Sequence, residues 1–313
     1  MRIDLPRYST SKELCRLCCG ERCSMYPRVP GKTSFTSPPN GPFTPLSPGE
    51  ASKQTTRTIS YPGVTNGNRE DGPHMSIYIG TSGWHYKHWV GVFYPKGLKP
   101  DGMLQYYAGE FGAVEVNNSF YRLPGKETLA GWRDSTPSRF VFALKASRYV
   151  THMKKLKDAG EALEKTLAGA RVLEGKLGPV LFQLPPRWGV DPGRLQEFLR
   201  GVPRDVRMAF EFRDTSWFAQ DVYGLLRAHG AAFCIYDLQG KKSPSEVTAD
   251  FVYVRLHGAD GIYQGRYTRR VLSGWAEAVA SWHEAGKDVF FFFNNDSRGH
   301  AVENARELKS MLT

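Results

Sequence analysis

The sequence predicts a (β/α)8 barrel, TIM-barrel-like and forming a single domain over residues 76–313, with a disordered arm over residues 1–75. Three observations predict it. From Ile77 onward, eight short apolar runs alternate with helical or looping segments. Several runs are almost continuously apolar, as in Val289-Phe290-Phe291-Phe292-Phe293, which suits parallel strands covered by helices on their outer face. The eight units together span a length close to the ~250 residues such a barrel needs. An open doubly wound sheet is the main rival, but no glycine-rich phosphate fingerprint follows the first strand to support it.

The first strand is Ile77-Tyr78-Ile79-Gly80, followed by an aromatic loop through Trp84, His85, Tyr86, Trp89, Phe93 and Tyr94. Asp101 is expected to cap a helix through Phe111. The second strand opens the most informative stretch, Val114-Glu115-Val116-Asn117-Asn118-Ser119-Phe120-Tyr121-Arg122-Leu123-Pro124. With a period of two, Glu115, Asn117 and Ser119 share one face and Val114 and Val116 the other. A carboxylate and an amide on a strand are costly to bury unless paired, so this strand reads as one that delivers polar groups to a site.

A helix follows from Glu127 to Asp134, then a third strand, Phe140–Lys145. Asp158 and Glu161 read as a capping-box variant that opens a helix to about Lys176. The fourth strand, Pro179–Leu184, is stopped by Pro185-Pro186, and Asp191-Pro192 caps the next helix. Arg207–Arg213 is the fifth strand; Ser216 should cap the helix after it and Gly230 should end it. Ala231–Asp237 is the sixth strand, with Cys234 as a buried, inert thiol. The connection from Leu238 to Asp250 is too short for a long helix. Phe251–Gly258 is the seventh strand, Ser273–Glu284 a helix closed by Gly286, Asp288–Asn294 the eighth strand, and His300–Leu312 the last helix.

Residues 1–75 are rich in Pro, Ser, Thr, Gly and Asn and hold no sustained period, so they read as disordered and dispensable for the fold. Cys15, Cys18, Cys19 and Cys23 have thiolate spacing that could chelate zinc, but no second Cys/His pair follows at finger spacing. Gly72-Pro73-His74-Met75 resembles a protease-cleaved expression scar; equally, Met75 reads as a natural start. No apolar run reaches membrane-spanning length and no signal-peptide core follows the N-terminal arginines, so a cytoplasmic protein without a membrane partner is expected. The formal net charge of +11 favours anionic partners, either a small molecule or nucleic acid.

Gly80-Thr81-Ser82-Gly83-Trp84, Glu115 through Pro124, Thr151-His152, Phe182 through Pro186, Glu211-Phe212-Arg213, Tyr253 through Gly258 and Phe293-Asn294-Asn295-Asp296 occur in unbroken order. Together they resemble the YecE-like family, also called domain of unknown function 72. The resemblance implies a TIM-barrel-like fold from about Ile77 to the C-terminus and implies no established activity.

In such a barrel the functional face lies at the carboxyl ends of the strands. Reading those ends gives Glu115, Lys145, Glu211, Asp237 and His257 as candidate catalytic groups. Trp84, His85, Tyr86, Asn117, Tyr121, Gln183, Arg213, Arg255, Asn294, Asn295 and Asp296 are candidates for binding substrate. Glu211, Asp237 and His257 come from three successive strands and could form a facial divalent-metal set. Gly258, Gly261, Gly265 and the Asn294–Gly299 turn mark the loops where barrels often hold phosphate, although Asp296 opposes an anion there. Three functions fit: acid/base or metal-assisted hydrolysis of a phosphate-bearing substrate, a sugar isomerase or epimerase, and non-catalytic nucleic-acid binding. On the first, Glu115 or Glu211 reaches an open cavity as base, His257 is the acid, and replacing Arg255 or His257 harms binding more than folding.

Overall fold

The structure, a computed structural model, describes residues 76–313, so the expectations placed on the arm and its four cysteines lie outside the described residues. The eight expected strands are present as β1 (Ile77–Ser82), β2 (Ala113–Val116), β3 (Val141–Lys145), β4 (Leu177–Gln183), β5 (Met208–Glu211), β6 (Ala232–Leu238), β8 (Phe251–Leu256) and β9 (Asp288–Phe293). Each pairs in parallel with its neighbour, and the ring closes where β1 meets β9, in register from Ile77 opposite Val289 to Thr81 opposite Phe293. A two-residue strand, β7 (Lys241–Lys242), folds back antiparallel on the end of β6.

The outer layer holds α1 (Met103–Glu110), α2 (Lys126–Asp134), α3 (Gly160–Ala170), α4 (Pro192–Gly201), α5 (Gln220–Ala228), α6 (Arg269–Glu284) and α7 (His300–Leu312). Between β6 and β8 an extended segment takes the place of a helix. Its Thr248 side chain accepts from Phe233 N and donates to Ala231 O, and its Ser243 side chain accepts from Tyr236 N.

Some caps fall as expected and some do not. Asp191 accepts from Arg194 N with Pro192 at the first helical position, and Gly230 and Gly286 close their helices at positive φ. Asp101 instead sits in a 3-10 turn ahead of α1, and Asp158 adopts φ 44° ahead of an α3 whose start has no side-chain cap. Ser216 is itself held by Asp214, which accepts its backbone N–H; that bond winds a separate turn and delays α5 to Gln220. Conversely, Thr268 caps α6 and starts it at Arg269, ahead of the expected Ser273.

Alternation along the strands sorts the core into two bodies. One lies between strands and helices; the other fills the barrel with small residues such as Ala113, Ala143 and Ala209 set against Tyr253, Phe290 and Phe292. Gly80 belongs to this interior, and a Cβ there would lie 2.0 Å from Ala113 O. Gly80→Ala should therefore cost about 1–3 kcal/mol of stability. Urea unfolding of the two proteins checks this, and an unchanged midpoint would show that the strand relaxes freely.

Candidate functional site at the carboxyl end of the barrel

The residue two places after each interior apolar side chain is again interior, so each inward phase ends in a polar group. Glu115 follows Ala113, Glu211 follows Ala209, Arg255 follows Tyr253, and Lys145 follows Ala143. Arg255, 1% exposed, is clamped between two carboxylates of zero exposure. Its Nη2 donates to Glu115 Oε1 at 2.6 Å and its Nη1 to Glu211 Oε2 at 2.5 Å. Glu115 also accepts from Ser82 Oγ at 2.6 Å and Tyr253 OH at 2.7 Å. Burial alone would raise the Glu211 carboxyl, but Arg213, Arg255 and His257 outweigh it and hold it well below the usual range.

Neither carboxylate therefore reaches an open cavity, which corrects the expectation that Glu115 or Glu211 is a solvent-reached base. The same burial corrects the reading of Arg255 and His257 as residues whose loss spares the fold. Period two identifies the inward side of a strand but not the depth at which a side chain ends, and this layer lies under the mouth.

Above the clamp sits His257, fully buried. Its Nε2 faces Arg213 Nη2 at 3.1 Å and Arg255 Nη1 at 3.4 Å, and the Asn294 side-chain amide meets its Nδ1 at 3.0 Å. Burial, then Arg213 and Arg255, push its pKa down to about 3 against the pull of Glu211, so the ring is neutral and orients its neighbours instead of donating as an acid. Arg213 pairs through Nε with Glu211 Oε1 and packs 5.3 Å from the Tyr236 ring. Tyr236 is the inward residue of β6; Asp237 next to it is on the outward phase. Asp237 Oδ1 accepts from Gly240 N at 3.0 Å within the β6–β7 turn, so Asp237 shapes that turn. The facial set of Glu211, Asp237 and His257 does not assemble, and among the described residues no three His, Cys, Asp or Glu side chains gather as metal ligands.

Two groups of side chains remain at the mouth. On one side, Lys145 Nζ lies 4.5 Å from the centroid of Phe120, and His152 packs edge-on against the same ring at 5.0 Å. Burial, then Lys145, Arg148 and Arg213, lower His152 to about 4. Asn117 Oδ1 and His152 Nε2 are buried acceptors with no partner among the described residues. On the other side, burial raises the Asp296 carboxyl to about 6 although His88 pulls it down. His88 and Trp89 hold the Asp296 backbone carbonyl at 2.8 and 3.0 Å. Tyr86 is pushed well up by burial and then by Asp296, Glu115 and Tyr263, which places its phenol in the same corner, donating to Ser82 O at 2.6 Å.

The remaining candidates scatter. Trp84 packs edge-on to Trp132, His85 is exposed, Tyr121 is 45% exposed on the rim, and Gln183 is buried opposite Glu211 in the β4–β5 register. Asn295, expected to bind substrate, is sealed and ties Gly265 O to Asn304. The glycines after β8 serve a self-packed turn: a Cβ on Gly258 (φ 124°) would lie 2.3 Å from Gln264 O. Arg266, next to Gly265, pairs with Glu303 and Glu307, whereas Lys145 ends β3 and Arg213 follows β5. His152 and Tyr236 were not among the candidate residues; the signals were Thr151-His152 in the family-like motif and the inward phase of β6.

A family model described as "Protein of unknown function DUF72" matches residues 78–313. The UPF0759 protein YunF of Bacillus subtilis (strain 168) is 28% identical over 270 residues, which cover 75% of this chain and 94% of that one. The crystal structure of a DUF72 family protein from Thermotoga maritima is 31% identical, with a TM-score of 0.66 over 76% of this chain and 99% of that chain. A second, from Enterococcus faecalis V583, is 23% identical with a TM-score of 0.62 over 76% and 98%, and speaks for the fold. The family model covers the whole barrel from its first strand to its last helix, so the chain belongs to the DUF72 family.

Proposed function

We propose that the mouth binds an anionic, phosphate-bearing small molecule and that the protein is an enzyme using Asp296 in acid–base chemistry upon it. One observation carries the reading. Lys145 and Arg213 follow from β3 and β5, which flank β4, and β4 stands across the ring from β9, which leads to Asp296. A ligand spanning the mouth would rest its phosphate on the cations and offer its other end to a carboxyl that titrates near neutral pH. The buried clamp holds Arg213 in place, since Glu211 and His257 fix its guanidinium. Hydrolysis and isomerisation both remain within this reading, because each needs a positioned acid or base.

Calorimetric titration of the full chain with a panel of phosphate esters tests it. Arg213→Gln should weaken binding at least about tenfold, a charge-assisted contact being lost. Asp296→Asn should retain binding and lose turnover. Equal binding by wild type and Arg213→Gln would overturn the assignment. A second reading draws on Tyr121 and Tyr149, 45% and 44% exposed on the rim, the latter with Lys154 Nζ 5.8 Å from its ring. Such pairs suit stacking with single-stranded nucleic acid, and a steep salt dependence of binding without turnover would favour it.

A further inference from the structure

His152 lies on a single turn of π-helix, Tyr149–Met153, directly after β3. The wider turn is followed by Lys155, Leu156 and Asp158, all at positive φ without being glycine. Backbone of this kind is costly and concentrates where a side chain must be aimed.

The hydrogen bonds around the ring favour one tautomer. Thr151 Oγ1 has one proton and lies 3.1 Å from Ser147 O, a carbonyl that can only accept. With the hydroxyl proton on that carbonyl, Thr151 Oγ1 accepts from His152 Nδ1–H at 2.9 Å, and this is the tautomer the proposal takes. Nε2 is thereby a bare lone pair, buried and without a partner among the described residues. The Phe120 ring braces both this imidazole and Lys145, so the lone pair belongs to the cationic side of the mouth. Asn117, whose Oδ1 is a second unpartnered acceptor, follows Val116, which is in register with Leu144 ahead of Lys145.

Cations beside unmatched acceptors are not the complement of bare phosphate, which brings acceptors of its own. They complement a ligand with negative oxygens for Lys145 and Arg213 and hydroxyl protons for the lone pairs. We propose that His152 Nε2 accepts a hydrogen bond from a hydroxyl of the ligand, so that the substrate class is a phosphate ester carrying free hydroxyls close to the phosphate. The proposal rests on the reading of the mouth as a phosphate-ester site. The charged groups facing His152 are Lys145, Arg148 and Arg213, and each opposes its protonation. A bound phosphate offsets them and strengthens the imidazole as an acceptor.

The test compares glycerol 3-phosphate with n-propyl phosphate, of similar size and without hydroxyls, by calorimetry on the full chain. Wild type should prefer glycerol 3-phosphate about tenfold, and His152→Phe should abolish the preference, so that the variant binds the two esters alike. Wild-type binding of propyl phosphate upholds the mouth; a preference that is absent in wild type, or kept in His152→Phe, then overturns His152 alone. If neither ester binds wild type, both readings fall. Should His152→Phe not fold, nitrogen-15 spectra of histidine-labelled wild type decide. Nε2 should be unprotonated at neutral pH and shift on adding glycerol 3-phosphate, and a protonated or unmoved Nε2 overturns the proposal.

Discussion

Arg255→Met should destabilise the barrel by about 3–5 kcal/mol, the usual cost of removing one partner from a buried ion pair. Two fully buried carboxylates, Glu115 and Glu211, share this one guanidinium, and its removal leaves both in a low-dielectric layer. Glu211 would keep Arg213, whereas Glu115 would keep only the neutral donors Ser82 and Tyr253. Glu115 is thus the group left uncompensated. Adding Glu115→Gln to Arg255→Met should recover a large part of the loss, since a neutral amide costs less to bury than a carboxylate. Urea unfolding of the single and double variants measures both effects. A single-variant loss under about 1 kcal/mol would show that water enters the layer and solvates the carboxylates.

Acid should unfold the protein well before its carboxylates would ordinarily titrate, and His257 should account for the largest part. The imidazole titrates near 6.5 in the unfolded chain but at about 3 in the folded one. Between these values the unfolded state binds a proton that the folded state refuses. Stability therefore rises with pH across that window, by about 1.4 kcal/mol per pH unit at full slope, and is flat above it. His152, at about 4, adds a second contribution of the same sign. Glu211, held low by its arginines, extends the loss below the ordinary glutamate range. Asp296 works against them: its folded value of about 6 exceeds the unfolded one, so its contribution is present at low pH and is lost as pH rises through about 4 to 6. The net dependence between pH 6.5 and 5 should still fall with acid, and His257→Asn should reduce its slope by close to one proton. A variant with wild-type slope would mean that the buried ring is protonated in the native state.

Strands were easier to read from the residues than caps or depth. Apolar runs such as Phe290–Phe293 have one stable home, between a barrel interior and a helix layer, so eight strands and their order followed from the pattern. Capping residues have several uses. Asp214 outcompeted Ser216 for the start of a turn, and a side chain at Asp158 with φ 44° cannot begin a helix. At the site, phase gave Glu115, Glu211, Arg213 and Arg255 as neighbours. It could not show that the arginine lies between the glutamates, because that depends on how far each strand rises in the ring. Asp237 stands one position past the inward-facing Tyr236, and its polarity draws attention from that ring. His152 owes its place to a π turn that no repeat of three or four residues announces.

The join between β1 and β9 also governs how the chain is made. Ser76 N donates to Asp288 Oδ1 across 212 positions of sequence, so the first strand finds its second partner only after that length of chain has been made. At roughly 5–20 residues per second, the free edge of β1 waits on the order of 10–40 s on the ribosome. For that interval the nascent sheet is an open, curved ribbon with an unpaired apolar border, the arrangement most prone to pairing with another chain. Expression in a host should therefore depend strongly on temperature and on chaperone supply, while the finished barrel, having no edge left in its ring, should not.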